Sequence, residues 1–174
     1  IIFIISLICY TIVKVVVIII QPMLEFSQMV LRLVIALALG AIIGLERELV
    51  GKEAGTRTAM LVAGGSCLFT LVSLILPDLF GVNQSEAGVL SDRVISNIVV
   101  GIGFLGAGII LKTGERVHGL TTAAVVWATA AIGVLVGLGL IKFAFVSALL
   151  ISGPLYLLRK IKFYERIRPD KVVE

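Results

Sequence analysis

The sequence has little of what catalytic and metal sites are usually built from. It contains a single histidine, His118, and two cysteines, Cys9 and Cys67, which lie in separate apolar runs. The clustered Cys and His spacings typical of zinc sites do not occur, and neither do HExxH, GxSxG or Walker A motifs. The sequence therefore predicts a protein that is not an enzyme and that holds no metal and no cofactor.

Charge is scarce as well. Charged residues make up 15% of the 174 residues, whereas 59% are hydrophobic and the mean hydropathy is +1.16. The charges lie in short clusters between apolar runs of about 20 residues, the length that crosses a bilayer. This pattern predicts an all-α integral membrane protein. The net charge of +4 is concentrated beside membrane ends, which indicates orientation in a membrane and no binding of nucleic acid.

Six apolar segments lie at about 1–20, 29–45, 58–76, 94–111, 121–140 and 143–158. The stretch 1–22 lacks the glycine and alanine of the later segments, and we interpret it as translated upstream sequence before a natural start at Met23. The alternative is one additional N-terminal apolar helix. The rest is predicted to be a five-helix transmembrane bundle over 23–158 and a basic tail over 159–174. The polar stretch 77–91 is expected to be a flexible outer loop.

Lysine and arginine are distributed unequally between the connections. Eleven of them lie in the loops 46–57 and 112–120 and in the tail, whereas the opposite side carries Arg93, Lys142 and, near a helix start, Arg32. By the positive-inside rule the first group faces the cytoplasm. The prediction is a multi-pass protein of the bacterial inner membrane with a cytoplasmic C-terminus. The basic tail is expected either to contact membrane lipid as a short amphipathic element or to extend into solvent as a topology anchor.

Glycine recurs within the apolar segments. One run matches the GxGxxG dinucleotide pattern, but apolar residues flank it on both sides and no soluble βαβ unit surrounds it, so the match is rejected. In a bilayer, small residues let helix backbones approach closely. The helix that carries this run is therefore predicted to be clamped between two neighbours. The predicted packing positions are Gly40, Gly44, Gly101, Gly103, Gly106, Gly108, Gly133 and Gly137.

Charges at the ends of the apolar segments form a candidate functional cluster. Glu46 and Glu48 close one helix, where the helix dipole disfavours negative charge, so both are expected to pair with arginines. Such a network fixes helix ends. Because ionisable groups at membrane depth are often functional, it is also a candidate site for a cation, a proton or a partner protein. The predicted cluster is Glu46, Arg47, Glu48, Arg57, Thr58, Asp92, Arg93, Asn97, Arg116 and Thr121.

Other polar residues of these segments have simpler interpretations. Ser91 or Asp92 is predicted to be the N-cap of the helix that carries Asn97. Asn97 is expected to find a partner on a neighbouring helix or to line a cavity. Thr121 and Thr122 are expected to cap the helix that follows them.

Several ordered motifs between residues 29 and 140 resemble the MgtC/SapB family of bacterial inner-membrane proteins. The motifs are GLERE at 44–48, RT at 57–58 with LV at 61–62, Arg93, GIGFLGAG at 101–108, and GLTTAA at 119–124 with Trp127 and AIG at 131–133. The sequence departs from the family pattern at Thr56, Ala59 and His118. It also ends soon after its last helix, so the soluble C-terminal domain of the virulence-associated members is not expected.

The resemblance implies a five-helix inner-membrane protein. Virulence-associated members support growth under magnesium limitation and are linked to restraint of the F-type ATP synthase. One hypothesis is a non-enzymatic regulator that binds another inner-membrane protein through its helices. The other is a small magnesium, cation or proton transporter whose polar path includes Glu46, Asp92 and Asn97. Self-association as a homo-oligomer is compatible with both.

Overall fold

The structure is a computed structural model that describes residues 25–49, 51–81, 84–113 and 116–160. The apolar segment 1–22 and the tail beyond residue 160 lie outside the described residues. Within them, the chain forms five α-helices and a short hairpin. In order these are α1 (Phe26–Leu49), α2 (Thr56–Leu79), α3 (Gln84–Ile109), β1 (Leu111–Thr113), β2 (Arg116–His118), α4 (Leu120–Gly137) and α5 (Ile141–Lys160).

Length and composition let four of the described helices cross a membrane. The four spans are Phe26–Leu49, Thr56–Pro77, Glu86–Ile109 and Leu120–Gly137, and α5 adds a shorter apolar stretch at Ile141–Leu157. Large apolar side chains cover the outside of these helices, as expected where lipid tails surround a bundle. The predicted class, an all-α integral membrane protein, is confirmed.

Helix α4 is the centre of the bundle, and it contacts α1, α2, α3 and α5. Its apolar residues are spread around the helix, and the side that no neighbour covers carries Leu120 and Trp127, which are 64% and 51% exposed. On one side Ile132 and Val136 belong to a buried cluster with residues of α1, α2 and α5. On another side Val126 packs in a second cluster with Val62 of α2 and Ile102 of α3. The core is thus built around the most buried span.

Glycines set the closest helix approaches, those of α1 and α4 to α2. A Cβ added to Gly40 would lie 2.6 Å from the carbonyl oxygen of Ala59, and a Cβ on Gly133 would collide with the carbonyl oxygen of Ala63. A larger residue there would push two helix backbones apart. The same confinement applies to Gly44 and Gly137.

The glycines of α3 are placed differently from the prediction. A Cβ built on Gly101, Gly103 or Gly108 meets no atom within 4 Å, and on Gly106 the nearest atom is the Cβ of Ala123 at 3.7 Å. The prediction that this helix is clamped between two neighbours through its glycines is therefore wrong for the described part of the chain. Helix α3 packs against α2 and α4 and leaves most of its glycines facing outward.

The connection between α2 and α3, predicted to be an outer loop, is more helical than its polar composition predicts. Helix α2 continues through Pro77, and α3 begins at Gln84 with Glu86 in its first turn. The expectation of a flexible loop over 77–91 is therefore wrong for most of that stretch. Proline lacks the N–H that would bind the carbonyl oxygen four residues earlier, and in membrane helices a neighbouring helix or a serine side chain can satisfy that carbonyl.

The predicted N-cap of α3 is also wrong. Because the helix starts at Gln84, both Ser91 and Asp92 lie well inside it. The Ser91 hydroxyl donates a hydrogen bond of 3.0 Å to the carbonyl oxygen of Ser73. This serine therefore links α3 to the C-terminal part of α2.

Candidate functional site

Arg47 is the buried charge around which the candidate site is built. It lies near the end of α1 and is 5% exposed. Its Nη2 donates a hydrogen bond of 2.8 Å to the Thr122 hydroxyl in the first turn of α4. The Thr122 hydroxyl in turn donates to Oε2 of Glu53, in the loop between α1 and α2, at 3.1 Å. We call Arg47, Thr122 and Glu53 the polar junction, because they tie three separate elements together.

Glu53 is a member of the junction that the sequence does not single out. Its pKa is held below the usual value, first by a hydrogen bond from its own backbone N–H and then by the Thr122 hydroxyl. The positive charges of Lys52 and Arg47 lower it further. The carboxylate is therefore ionised at neutral pH. Its negative charge is connected to the buried guanidinium of Arg47 through the Thr122 hydroxyl. A buried charge needs such a partner, because burial without one is costly.

Glu48 has a different task from the one predicted. Its Oε2 accepts a hydrogen bond of 3.0 Å from the backbone N–H of Thr56, the first residue of α2. The first N–H groups of a helix have no partner within it, and negative charge is favoured there. Glu48 thus lies at the C-terminal end of α1, where the dipole of α1 disfavours a negative charge. It also caps the N-terminal end of α2, where the dipole of α2 favours one.

Glu46 does not form the expected pairing with an arginine at its buried oxygen. Its Oε2 has no hydrogen-bond partner among the described residues, and the same holds for Nε of Arg47 and Oγ1 of Thr56. A buried polar atom without a hydrogen-bond partner costs about 1–3 kcal/mol. These three atoms, from neighbouring helix ends, are the places where this side of the bundle can still accept or donate hydrogen bonds.

Besides the polar junction, the candidate site includes a groove of about 730 Å³ between α2 and α3. Arg57 and Thr58 line it at the beginning of α2, and Asn97 lines it on α3 with Ser66 on α2. One of the two interpretations of Asn97, a residue that lines a cavity, matches this placement. The remaining described lining is Leu61, Val62, Gly65, Phe69, Val94, Ile98, Gly101, Ile102 and Leu105.

The structure therefore divides the predicted cluster between two places. Arg47 belongs to the junction, whereas Arg57, Thr58 and Asn97 belong to the groove. Glu48 caps α2 and Glu46 keeps a buried oxygen without a partner among the described residues, whereas Asp92, Arg93 and Thr121 are exposed and belong to neither place. Among the described residues, no group of three or more His, Cys, Asp or Glu side chains is arranged to hold a metal ion.

The loop between α3 and α4 forms an antiparallel hairpin in which Arg116 pairs with Thr113. Gly119 then leads into α4 with a φ of 81° and without a side-chain cap, and a Cβ on it would collide with the carbonyl oxygen of Ile109. The predicted capping by Thr121 and Thr122 is wrong. A left-handed glycine makes the entry to the helix, which leaves Thr122 to bind Arg47 and Glu53.

Arg32 has a structural partner at the opposite end of the bundle. Its Nη1 donates a hydrogen bond of 2.8 Å to the carbonyl oxygen of Gly137, the last residue of α4. A cation at a helix C-terminus satisfies a free carbonyl and complements the dipole. In the sequence this arginine counts only as a charge near a helix start, so its role as a cap comes from the fold.

Known proteins resemble this chain over most of its length. The model of the MgtC family matches residues 33–164. Protein MgtC of Salmonella typhimurium strain LT2 is 44% identical over 141 residues, which are 80% of this chain and 56% of that protein. The protein named "Putative magnesium transporter YhiD" of Escherichia coli strain K12 is 40% identical over 115 residues, 66% of this chain and 53% of that protein.

A protein of Haemophilus influenzae named only as uncharacterized is 40% identical over 129 residues, 72% of this chain and 52% of that protein. The chain spans about half the length of the curated relatives it matches. None of these names describes an enzyme. No solved structure matches the chain significantly.

Proposed function

The chain belongs to the MgtC family, and we propose that it is a non-enzymatic regulator of another protein in the bacterial inner membrane. The F-type ATP synthase is the partner that the family resemblance suggests. In this proposal the regulator supports adaptation to magnesium limitation. The reference to magnesium in the name of the Escherichia coli relative is consistent with that setting.

The outer face of α3 is the observation that carries the proposal. Val100 and Phe104 on this face are 72% and 81% exposed. Gly103 follows Val100 by three residues and Gly108 follows Phe104 by four, so the two glycines flank this face on opposite sides, and a Cβ on either would meet nothing within 4 Å. In a membrane, association is driven by close packing over small residues, because lipid and helix surfaces are equally apolar. The face therefore suits a second membrane helix.

A small magnesium, cation or proton transporter is the alternative. The groove favours it, because it brings Asn97 and Ser66 to membrane depth. Yet Arg57 lies at its mouth, and none of the described lining residues is a carboxylate. Magnesium sites normally use several oxygen ligands, often carboxylates, and a guanidinium repels cations. The lining of the groove therefore argues against a cation transporter, which leaves the regulator as the better-supported function.

Orientation belongs to the same proposal. The polar junction brings the loop after α1, which carries Lys52, to the same end of the bundle as the start of α4. With the excess of lysine and arginine on that side, this supports a cytoplasmic position for the junction and for the C-terminal tail. Protease cleavage of the tail in intact spheroplasts, rather than only after lysis, would contradict it.

A pull-down of the tagged full chain from native membranes in gentle detergent tests the proposal. We expect a stoichiometric membrane protein to be captured, and we expect Gly103→Leu to reduce its recovery. The matched control is Gly88→Leu on the same helix, where a Cβ also meets nothing within 4 Å. A chain recovered alone in several growth conditions, or equal capture by both variants, contradicts a regulator that uses this face.

Reconstitution separates the alternative. Vesicles that contain the chain and an ion-sensitive dye are compared with empty vesicles under a magnesium or proton gradient. Flux above the empty vesicles would support transport in place of regulation. Capture of a second, differently tagged copy in the pull-down would instead assign the face to a homo-oligomer.

A further inference from the structure

The groove between α2 and α3 has the depth of one leaflet of a bilayer. Both helices are of membrane-spanning length. Along α2 the lining runs from Thr58 to Phe69, which at 1.5 Å per residue is about 16 Å of helix. The hydrocarbon core of a bilayer is about 30 Å thick. The groove therefore extends from the membrane interface to about the midplane.

Glycines on both walls make the space. At Gly65 on α2 and Gly101 on α3, a Cβ would meet no atom within 4 Å. The resulting volume of about 730 Å³ lies within the range of about 300–1,000 Å³ that is usual for ligand pockets. Leu61 and Phe69 on its rim are 73% and 61% exposed. The groove thus opens sideways, toward the position of the lipid tails.

Charge is confined to the mouth of the groove. Arg57 and Thr58 are exposed in the first turn of α2, at the positive end of the helix dipole. Glu48 caps the N–H of Thr56, one residue before them. Deeper in, the walls are formed by apolar side chains such as Val62 and Ile102. An occupant that fits has an anionic group at the interface and an apolar chain that reaches toward the midplane.

We propose that this groove binds an anionic phospholipid of the leaflet on the Arg57 side. The guanidinium of Arg57 and the hydroxyl of Thr58 bind its phosphate, since a planar guanidinium donates charge-assisted hydrogen bonds to phosphate oxygens. One acyl chain lies between α2 and α3. In the orientation that the basic residues predict, this is the cytoplasmic leaflet, whose surface carries anionic lipid. Ser66 and Asn97 lie at the deep end, away from the headgroup.

Native mass spectrometry of the purified full chain in detergent tests the lipid site. Phosphatidylglycerol and phosphatidylcholine with identical acyl chains are added in separate samples, and the lipid-bound fraction is measured. We expect retention of phosphatidylglycerol to exceed that of phosphatidylcholine. Arg57→Gln should lower phosphatidylglycerol retention about fivefold, the effect of one basic residue at an anionic membrane surface. Arg57→Lys should keep most of it, and Lys142→Gln, at the opposite end, should match the wild type.

Two further variants separate the lipid from other occupants. In Gly101→Leu the Cβ meets no atom within 4 Å and the side chain occupies the groove, so this variant should lose phosphatidylglycerol while its helix content and elution volume stay unchanged. Asn97→Leu should retain the lipid, because the phosphate lies at the other end. Equal retention of the two lipids by the wild type overturns the proposal, as does wild-type retention by Arg57→Gln and Gly101→Leu. Loss of phosphatidylglycerol in Asn97→Leu also overturns it, since the polar group of the lipid would then lie at the amide and not at Arg57.

Discussion

The guanidinium of Arg47 donates a hydrogen bond of 2.8 Å to the hydroxyl of Thr122, a residue 75 positions further along the chain. The arginine is buried at the end of α1, and the threonine lies in the first turn of the central helix. The same hydroxyl donates to Glu53 at 3.1 Å. One threonine therefore acts as acceptor and donor at once, and it connects a buried cation to an exposed anion.

Removing the Thr122 hydroxyl should destabilise the bundle. Thr122→Val keeps the shape of the side chain but leaves Nη2 of Arg47 without its acceptor, and a hydrogen bond to a charged group contributes about 1.5–3 kcal/mol. We expect a lower midpoint of thermal unfolding in detergent. Thr121→Val is the matched control, since Thr121 is exposed in the same turn. Equal midpoints for the two variants would show that Arg47 does not depend on this contact.

The contribution of Glu53 to stability should depend on pH in a defined direction. Its folded-state pKa is lowered below 4.5, chiefly by its own backbone N–H and the Thr122 hydroxyl. A lowered pKa stabilises the folded state above the unfolded value, and this stabilisation is lost as pH falls through the folded value. The wild type should therefore exceed Glu53→Gln in thermal stability above pH 4.5, and the difference should shrink in more acid solution. Curves that stay parallel throughout would contradict this.

The two classes of glycine should respond oppositely to alanine. In Gly133→Ala the new Cβ collides with the carbonyl oxygen of Ala63, so we expect a loss of about 1–3 kcal/mol in unfolding free energy from overpacking. In Gly103→Ala the Cβ meets nothing within 4 Å, and alanine favours the helix. Unfolding midpoints in detergent should drop for the first and stay level or rise for the second. A similar drop for both would mean that α3 has a tight contact within the chain.

Growth should depend more on the polar residues at the end of the bundle that holds the polar junction than on those at the opposite end. Glu46→Gln or Arg57→Ala should impair growth at low magnesium more than Glu86→Gln. Glu46 has a buried oxygen without a partner among the described residues and Arg57 lines the groove, whereas Glu86 is exposed in the first turn of α3. Complementation of a deletion strain, with protein levels matched by immunoblot, gives the comparison. Equal growth of all three variants would remove Glu46 and Arg57 from the functional site.

Much of the helical fold can be predicted because a bilayer imposes a length on apolar runs. The segments expected at 29–45 and 58–76 lie inside α1 and α2, and both helices extend a few residues further. The helix starts were less predictable. Polar composition placed the start of α3 near Asp92, but backbone groups near a membrane favour helix even in a polar stretch, and the helix begins at Gln84.

The candidate site was predictable in part. Arg47 and Arg57 stand out in the sequence as charges at membrane ends, yet one is buried in the junction and the other lines the groove. The residues next to them in the sequence do not indicate which arginine is buried and which lines the groove. Glu53 lies in a short loop of ordinary composition, so only the contact with Thr122 marks it.

The sequence by itself determined that this chain is a helical membrane protein of the MgtC family, because hydropathy over a span and ordered motifs are local properties. It also marked glycines that stand at close helix contacts, such as Gly40 and Gly133, but it missed Gly64, where an added Cβ would lie 2.6 Å from Cδ2 of Leu37. Tertiary structure alone decided which of these glycines are confined, as Gly133 is, and which stay open, as Gly103 does. That distinction depends on which side of each helix meets a neighbour. The pairing of Arg47 with Thr122 has the same origin, since a contact across 75 positions exists only once α1 and α4 have packed.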